Sequence, residues 1–155
     1  MRWSSEMEGI LRGAGWYPGR NVETQVAGWE SLLASGPDCM CMFPAARAAL
    51  LEFGGLVLRP DGVAGREGGR VSVVLDPTLG AGMGECFRTF STVVHGAVFP
   101  LGEVGDGHAI LVVSQRGHTY LVMDAIREVA PTVDDGLERL VLGKRLTGQW
   151  TRPPA

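Results

Sequence analysis

Lysine is nearly absent from this chain of 155 residues: Lys144 is the only one among 14 basic residues, which face 17 acids for a formal charge of −3. A protein that grips phosphate backbones needs clustered Lys and Arg. No such cluster is visible along the sequence, so no direct contact with nucleic acid is expected. Cysteine is scarce and odd in number. Cys39, Cys41 and Cys86 cannot close a disulfide set, which fits free thiols in a reducing compartment. Also missing is any apolar run of about 18 residues, the length that marks a membrane helix. The N-terminal "MRWSSEMEGI" has neither the apolar core nor the small-residue cleavage pattern of a signal peptide. These absences point to a cytoplasmic protein without a membrane span.

What is present is typical of a globular domain. Apolar residues make up 45% and charged residues 20%, which excludes wholesale disorder and fibrous repeats. The length suits one domain that buries roughly two thirds of its unfolded surface. No repeat, low-complexity block or linker divides the chain, so a single domain is expected over residues 1–155, with its core at about 5–145, acting as a monomer or weak dimer.

Helical spacing comes first. Ser4 and Ser5 can cap a helix carrying Met7, Ile10 and Leu11, which glycines end before "GWYPGR". The Trp16–Tyr17 pair is expected to pack the N-terminal helices onto the domain. A second helix from Asn21 places Val22, Val26, Trp29, Leu32 and Leu33 on one stripe. A third starts at Pro44, buries Ala45, Ala49, Leu50 and Phe53, and ends where Gly54 would adopt a left-handed cap. Strand period then takes over: "LVLR" and "VSVVLDP" read as a hairpin with a flexible polar tip, "PDGVAGREGG". Met83, Phe87, Phe90 and Val94 make a fourth helix closing near His95–Gly96. "VFPLGEV", "HAILVVS" and "HTYLVMD" are strands, the last two joined tightly by "QRG", and a final helix from about Asp134 turns Leu137, Leu140 and Val141 inward before a frayed "TRPPA" tail. The order of elements predicts one α+β domain with a largely antiparallel sheet.

Residues able to carry chemistry are few and poorly spaced for it. Cys39-Met-Cys41 offers two soft ligands, but a tetrahedral site needs about four and no second pair stands at metal-finger spacing, so semi-buried ordinary cysteines are expected. Cys86 and His95 could pair as thiol and base with Asp106 or Asp124. Nine helical residues, however, separate them by about 13 Å, beyond hydrogen-bond reach. His108 and His118 flank one strand and could share a sheet face, with Asp106 as an extra ligand, yet two histidines alone make no metal site. "LGAGMGE" lacks both the dinucleotide spacing and the Lys-Ser/Thr of a P-loop and reads as a flexible lead into a helix.

Charge is more informative. Between Phe99 and Glu138 seven acids, Glu103, Asp106, Asp124, Glu128, Asp134, Asp135 and Glu138, face two bases, Arg116 and Arg127. Such a surface would steer a basic partner and speed its association. The candidate partner-binding residues are these seven, with no catalytic residue, metal or cofactor expected.

Four blocks, "LRGAGWYPGR", "AALLEFGGL", the "VLDP" strand end and "VFPLGEVGDGHAILVVSQRGHTYLV", in this order and spacing resemble the third subgroup of the SUKH superfamily of bacterial immunity proteins over about Leu11 to Leu142. "DCMC" and "LGAGMG" depart from that pattern. The resemblance implies an α+β fold with helices around a mixed sheet. It further implies a non-enzymatic cytoplasmic antidote encoded beside a polymorphic toxin, often a nuclease or nucleic-acid deaminase, which it binds and blocks. The motifs carry no catalytic residue. The alternative is a small-molecule-binding or regulatory module with a pocket between the sheet and Trp16, Trp29 or Trp150.

Overall fold

The computed structural model describes residues 2–60, 66–67 and 69–153. Helix α1 spans Ser5–Ala14; Ser4 caps it by accepting the Met7 N–H, and Gly15 ends it in the left-handed region. Met7 and Leu11, one turn apart, are fully buried, each burial worth about 1.5–3 kcal/mol over exposure. Just beyond α1 the aromatic pair divides. Trp16 is buried edge-on to Trp3, ring centroids 6.4 Å apart, and docks the helix as expected. Tyr17 is 55% exposed and packs nothing onto the domain.

Helix α2 covers Glu23–Ser35 and α3 covers Pro44–Phe53. In α2 Val26 and Leu33 are buried, whereas Leu32 is 59% exposed, because the helix turns it off the stripe that faces α3 and the core. The third helix does not end as expected either. Gly54 has φ −57, and the left-handed residue is Gly55 at φ 86. The last carbonyls of α3 find another donor: the Arg20 guanidinium donates to Glu52 O at 2.6 Å and Gly54 O at 2.8 Å.

Four short strands follow, β1 (Val57–Leu58), β2 (Arg66–Glu67), β3 (Arg70–Val71) and β4 (Val73–Val74), of which β1 and β4 belong to the main sheet and β2 and β3 form a two-stranded sheet of their own. Strands β1 and β4 form the expected hairpin, and β2 pairs with β3 within it. Of the tip expected to be flexible over residues 60–69, Arg66–Glu67 form a strand, and residues 61–65 and 68 lie outside the described residues. A short 3-10 turn at Pro77–Gly80 leads to α4, Gly84–Val94, closed by His95 at φ 58.

Four strands follow: β5 (Val98–Val104), β6 (Ala109–Ser114), β7 (Thr119–Val122) and β8 (Ile126–Ala130), then α5 (Val133–Leu142). The main sheet has the order β1-β4-β5-β6-β7-β8, every pair antiparallel. Helices α3 and α4 pack against β5, while α5 lies against β8, β3 and β4. The result is the α+β domain that the pattern of elements predicted.

Two features were not expected. Strand β8 interrupts "MDAIREVAPT" with Arg127 and Glu128 at its centre, so it carries too little apolar alternation to stand out. The C-terminal segment, expected to fray, is bonded along β8. Thr147 and Gly148 N–H donate to Val129 and Glu128 carbonyls, and Thr151 exchanges both backbone bonds with Ile126. An uncovered β8 would be an open sheet edge with unpaired backbone groups; Pro154 and Ala155 lie outside the described residues.

The register between β5 and β6 shifts at Pro100–Gly102. A Cβ at Gly102 would fall inside contact distance of the Val74 carbonyl on the neighbouring strand. Gly102→Ala should therefore destabilise the protein by about 3 kcal/mol, as overpacking against backbone does. Gly117→Ala, at φ 89 with open space around it, should cost about 1 kcal/mol from left-handed strain alone. Urea unfolding midpoints of the two variants check the difference.

Candidate functional site

The groups suspected of chemistry are held apart. Cys39 and Cys41 are exposed rather than semi-buried, and among the described residues no three His, Cys, Asp or Glu side chains are grouped to hold a metal. Burial pushes the Cys86 thiol up from its ordinary value, the opposite of an activated nucleophile, and its Sγ lies 3.9 Å from the Met123 carbonyl. His108 and His118 cannot converge on a metal: β6 runs from one to the other, which separates them by about 20 Å. His118 Nδ1 instead meets Glu128 Oε2 at 2.8 Å. In "LGAGMGE" the Gly82 N–H already donates to the Asp38 carboxylate at 2.6 Å, so this turn holds a carboxylate of its own chain rather than a phosphate.

The seven candidate acids separate into two sets. Four are engaged inside the domain. Glu128 accepts from His118 and from Thr147 Oγ1 at 2.6 Å, and Asp134 accepts from Arg2 at 2.7 Å. Asp135 pairs with Arg139 at 3.0 Å, and Glu138 accepts Ser4 N–H at 3.1 Å, Ser4 Oγ–H at 2.8 Å and Lys144 at 3.2 Å. A continuous acidic face over all seven does not form, because β8 carries the chain away from the end of the sheet where Glu103, Asp106 and Asp124 lie before α5 begins.

Burial works against the charge of Glu128 and Glu138, but their bonds more than offset it. Glu128 stays below its ordinary value through Thr147 and His118, and Glu138 through Ser4 and Lys144. Glu52 shows the same balance: burial raises it, while hydrogen bonds from Arg2 and Trp16 bring it down further.

Glu103, Asp106 and Asp124 make no side-chain hydrogen bond or ion pair among the described residues. Strands β5 and β7 run in the same direction, so the β5–β6 turn with Asp106 and the β7–β8 turn with Asp124 emerge at one end of the sheet. The first turn is built from three successive left-handed residues, Gly105 (φ 62), Asp106 (φ 57) and Gly107 (φ 90). It closes with His108 N–H donating to the Val104 carbonyl at 2.9 Å. Asp tolerates this backbone better than most residues, and two flanking glycines let the turn lift the carboxylate into solvent. The Glu103 carboxylate lies beside Gly107.

At this same end opens a groove of about 760 Å³, floored by Val71, Val104, Leu121 and Leu140 and walled by Leu146 and Trp150. Asp124 and His108 reach its rim, and Arg127, Arg139, Lys144, Arg145 and Arg152 line it. This cation cluster was not visible along the sequence, since its members come from β8, α5 and the C-terminal segment. Of the three tryptophans considered for a pocket, Trp16 is buried, Trp29 packs against Gly54, and Trp150 lines the groove. Among the described residues no helix is long and apolar enough to cross a membrane.

An α+β domain with unpaired charge gathered on two turns at one end of its sheet has the build of a binding protein. A family model, SUKH-3 immunity protein, matches residues 3–143, and the chain belongs to that family. The match takes in the whole of α1 and stops at Gly143, before the segment that covers β8. No curated protein and no solved structure matches the chain.

Two solution properties follow. Glu52, Glu128 and Glu138 have folded values below the ordinary 4.5, so the folded state binds fewer protons than the unfolded chain. The stability they contribute is complete above about pH 4.5 and is lost as pH falls through their lower folded values. Urea midpoints measured from pH 6 to 3 should decline in that window, and less steeply in the Glu138→Gln variant. Cys39 and Cys41 should react quickly with a thiol reagent in the native protein, and Cys86 only slowly until denaturant is added.

Proposed function

We propose that this SUKH-3 protein is a cytoplasmic antidote that binds a single toxin domain acting on nucleic acid, a nuclease or a deaminase, and blocks it without catalysis of its own. The family membership supports the immunity role. The observation that carries the rest is the trio Glu103, Asp106 and Asp124, three carboxylates without internal partners on and beside adjacent turns. An enzyme that acts on nucleic acid presents a basic surface to its substrate. A rigid carboxylate patch attracts that surface from a distance and, once docked, keeps the substrate out.

The other four acids of the region, Glu128, Asp134, Asp135 and Glu138, are engaged in holding the domain together and lie apart from this patch. The protein acts as a monomer or weak dimer and forms a 1:1 complex, burying on the order of 1,200–2,000 Å².

Expression of the toxin domain encoded next to this chain, with and without the protein, tests the reading through growth and gel filtration. Rescue with co-elution is expected, and failure of both at micromolar concentration would sink it for this pair. The triple variant Glu103→Lys/Asp106→Lys/Asp124→Lys should associate about 10-fold more slowly at low salt, with the difference shrinking as salt is added. Asp134→Asn should lower the unfolding midpoint and leave the association rate unchanged.

A further inference from the structure

The groove beside Asp124 carries a chemistry that the acidic patch does not explain. Of its five cations, Arg139 is paired with Asp135 and Lys144 with Glu138. Arg145 and Arg152 have no carboxylate partner among the described residues, and the Arg127 guanidinium makes its hydrogen bond to a carbonyl, Gly148 O at 2.8 Å. Three guanidiniums therefore face one carboxylate, Asp124, around a floor of Val104, Leu121 and Leu140.

Trp150 is 44% exposed at the wall, although its segment is tied to β8 through Thr151 two-way backbone bonds. An aromatic ring exposed on a hydrogen-bonded segment, in one groove with the unpaired guanidiniums of Arg145 and Arg152, has the composition of an interface hot spot, where Trp and Arg dominate. A dry pocket for a neutral ligand would leave these three charges uncompensated.

The position of the wall adds a second argument. Arg145, Trp150 and Arg152 lie beyond residue 143, where the family match ends. The floor lies within the residues that the family model matches, and the ring and two of the unpaired charges lie on residues beyond that match.

We propose that the groove formed by β7, β8, α5 and residues 144–152 receives an acidic segment of the toxin domain, one carboxylate on the Arg145/Arg152 guanidiniums and a neighbouring apolar side chain against Trp150. The proposal rests on the antidote reading above. It makes the interface bipolar: carboxylates on the two turns meet a basic patch, and the adjoining groove takes an acidic projection. Such an alternation rejects toxins that carry only one of the two signs, since a mismatched charge is left opposite its like.

The test measures binding of the neighbouring toxin domain to the wild type, to Arg145→Glu/Arg152→Glu, to Trp150→Ala and to the triple lysine variant of the acidic patch, with thermal unfolding as a check on folding. All the changed groove side chains are exposed, so the variants should melt with the wild type. Both groove variants are expected to lose at least 10-fold in affinity. A carboxylate-to-lysine change on the toxin surface should weaken wild-type binding and restore binding of Arg145→Glu/Arg152→Glu.

Wild-type binding with both groove variants within 2-fold of it would overturn the groove proposal and leave the antidote reading standing. Loss confined to the groove variants, with the triple lysine variant unaffected, would support the groove and remove the acidic patch. No wild-type complex at all would overturn both. Two further outcomes would assign the groove elsewhere and overturn the proposal. One is a small organic anion that native mass spectrometry finds on the wild type and not on Trp150→Ala. The other is a dimer in sedimentation velocity that Arg145→Glu/Arg152→Glu dissociates.

Discussion

One guanidinium joins parts of the chain that are far apart in sequence. Arg2 binds both Glu52 oxygens, at 2.7 and 2.8 Å, and both Asp134 oxygens, at 2.7 and 3.0 Å. It does so while lying 5.0 Å from the Trp3 ring centroid and 5.8 Å from that of Phe53. Bidentate charge-assisted bonds and ring contacts together fix its orientation. Through it the start of α1, the last turn of α3 and the first turn of α5 are held in one place. Glu52 also accepts the Trp16 indole N–H at 2.9 Å, so the aromatic group that docks α1 shares this junction.

The junction explains how the molecule divides its charge. Asp134 and Glu138 draw the N-terminal segment onto α5, and Glu128 pins the β6–β7 turn and the C-terminal segment to β8. Those carboxylates are structural, and a surface count of acids overstates what a partner would meet. The opposite end of the sheet has no such internal demand. Its turns carry Asp106 and Asp124 unpaired, and the adjoining groove carries unpaired arginines, because nothing in the fold requires these charges to be neutralised.

The helices were legible from buried residues at helical spacing, such as Phe87, Phe90 and Val94 along α4, helped in α1 by the Ser4 cap and in α3 by Pro44 in the first turn. Strands β5, β6 and β7 were legible from their apolar runs and the turns between them. Strand β8 was not, since Arg127 and Glu128 occupy its centre and only pairing with β7 makes it a strand. The exposed side of Leu32, the burial of Trp16 rather than Tyr17 and the transfer of the left-handed turn from Gly54 to Gly55 involve neighbours distant in sequence: α3 for the first, Trp3 and Glu52, which hold Trp16, for the second, Arg20 for the third. Of the candidate site, the acids were visible as a run of charge, but which were free was not. The cation cluster was invisible, because Arg127 and Arg152 are separated by the whole of α5.

The amino-acid sequence alone determined the α+β class, the number of helices, the absence of a metal-finger or P-loop pattern and the family, since these depend on periodicity and on short motifs read in order. Tertiary structure decided which charges face a partner. A carboxylate is used or free according to what lies within about 3 Å of it, and that distance is set by chain segments brought together only when Arg2, Ser4 and Thr147 reach across the fold to meet α3, α5 and β8.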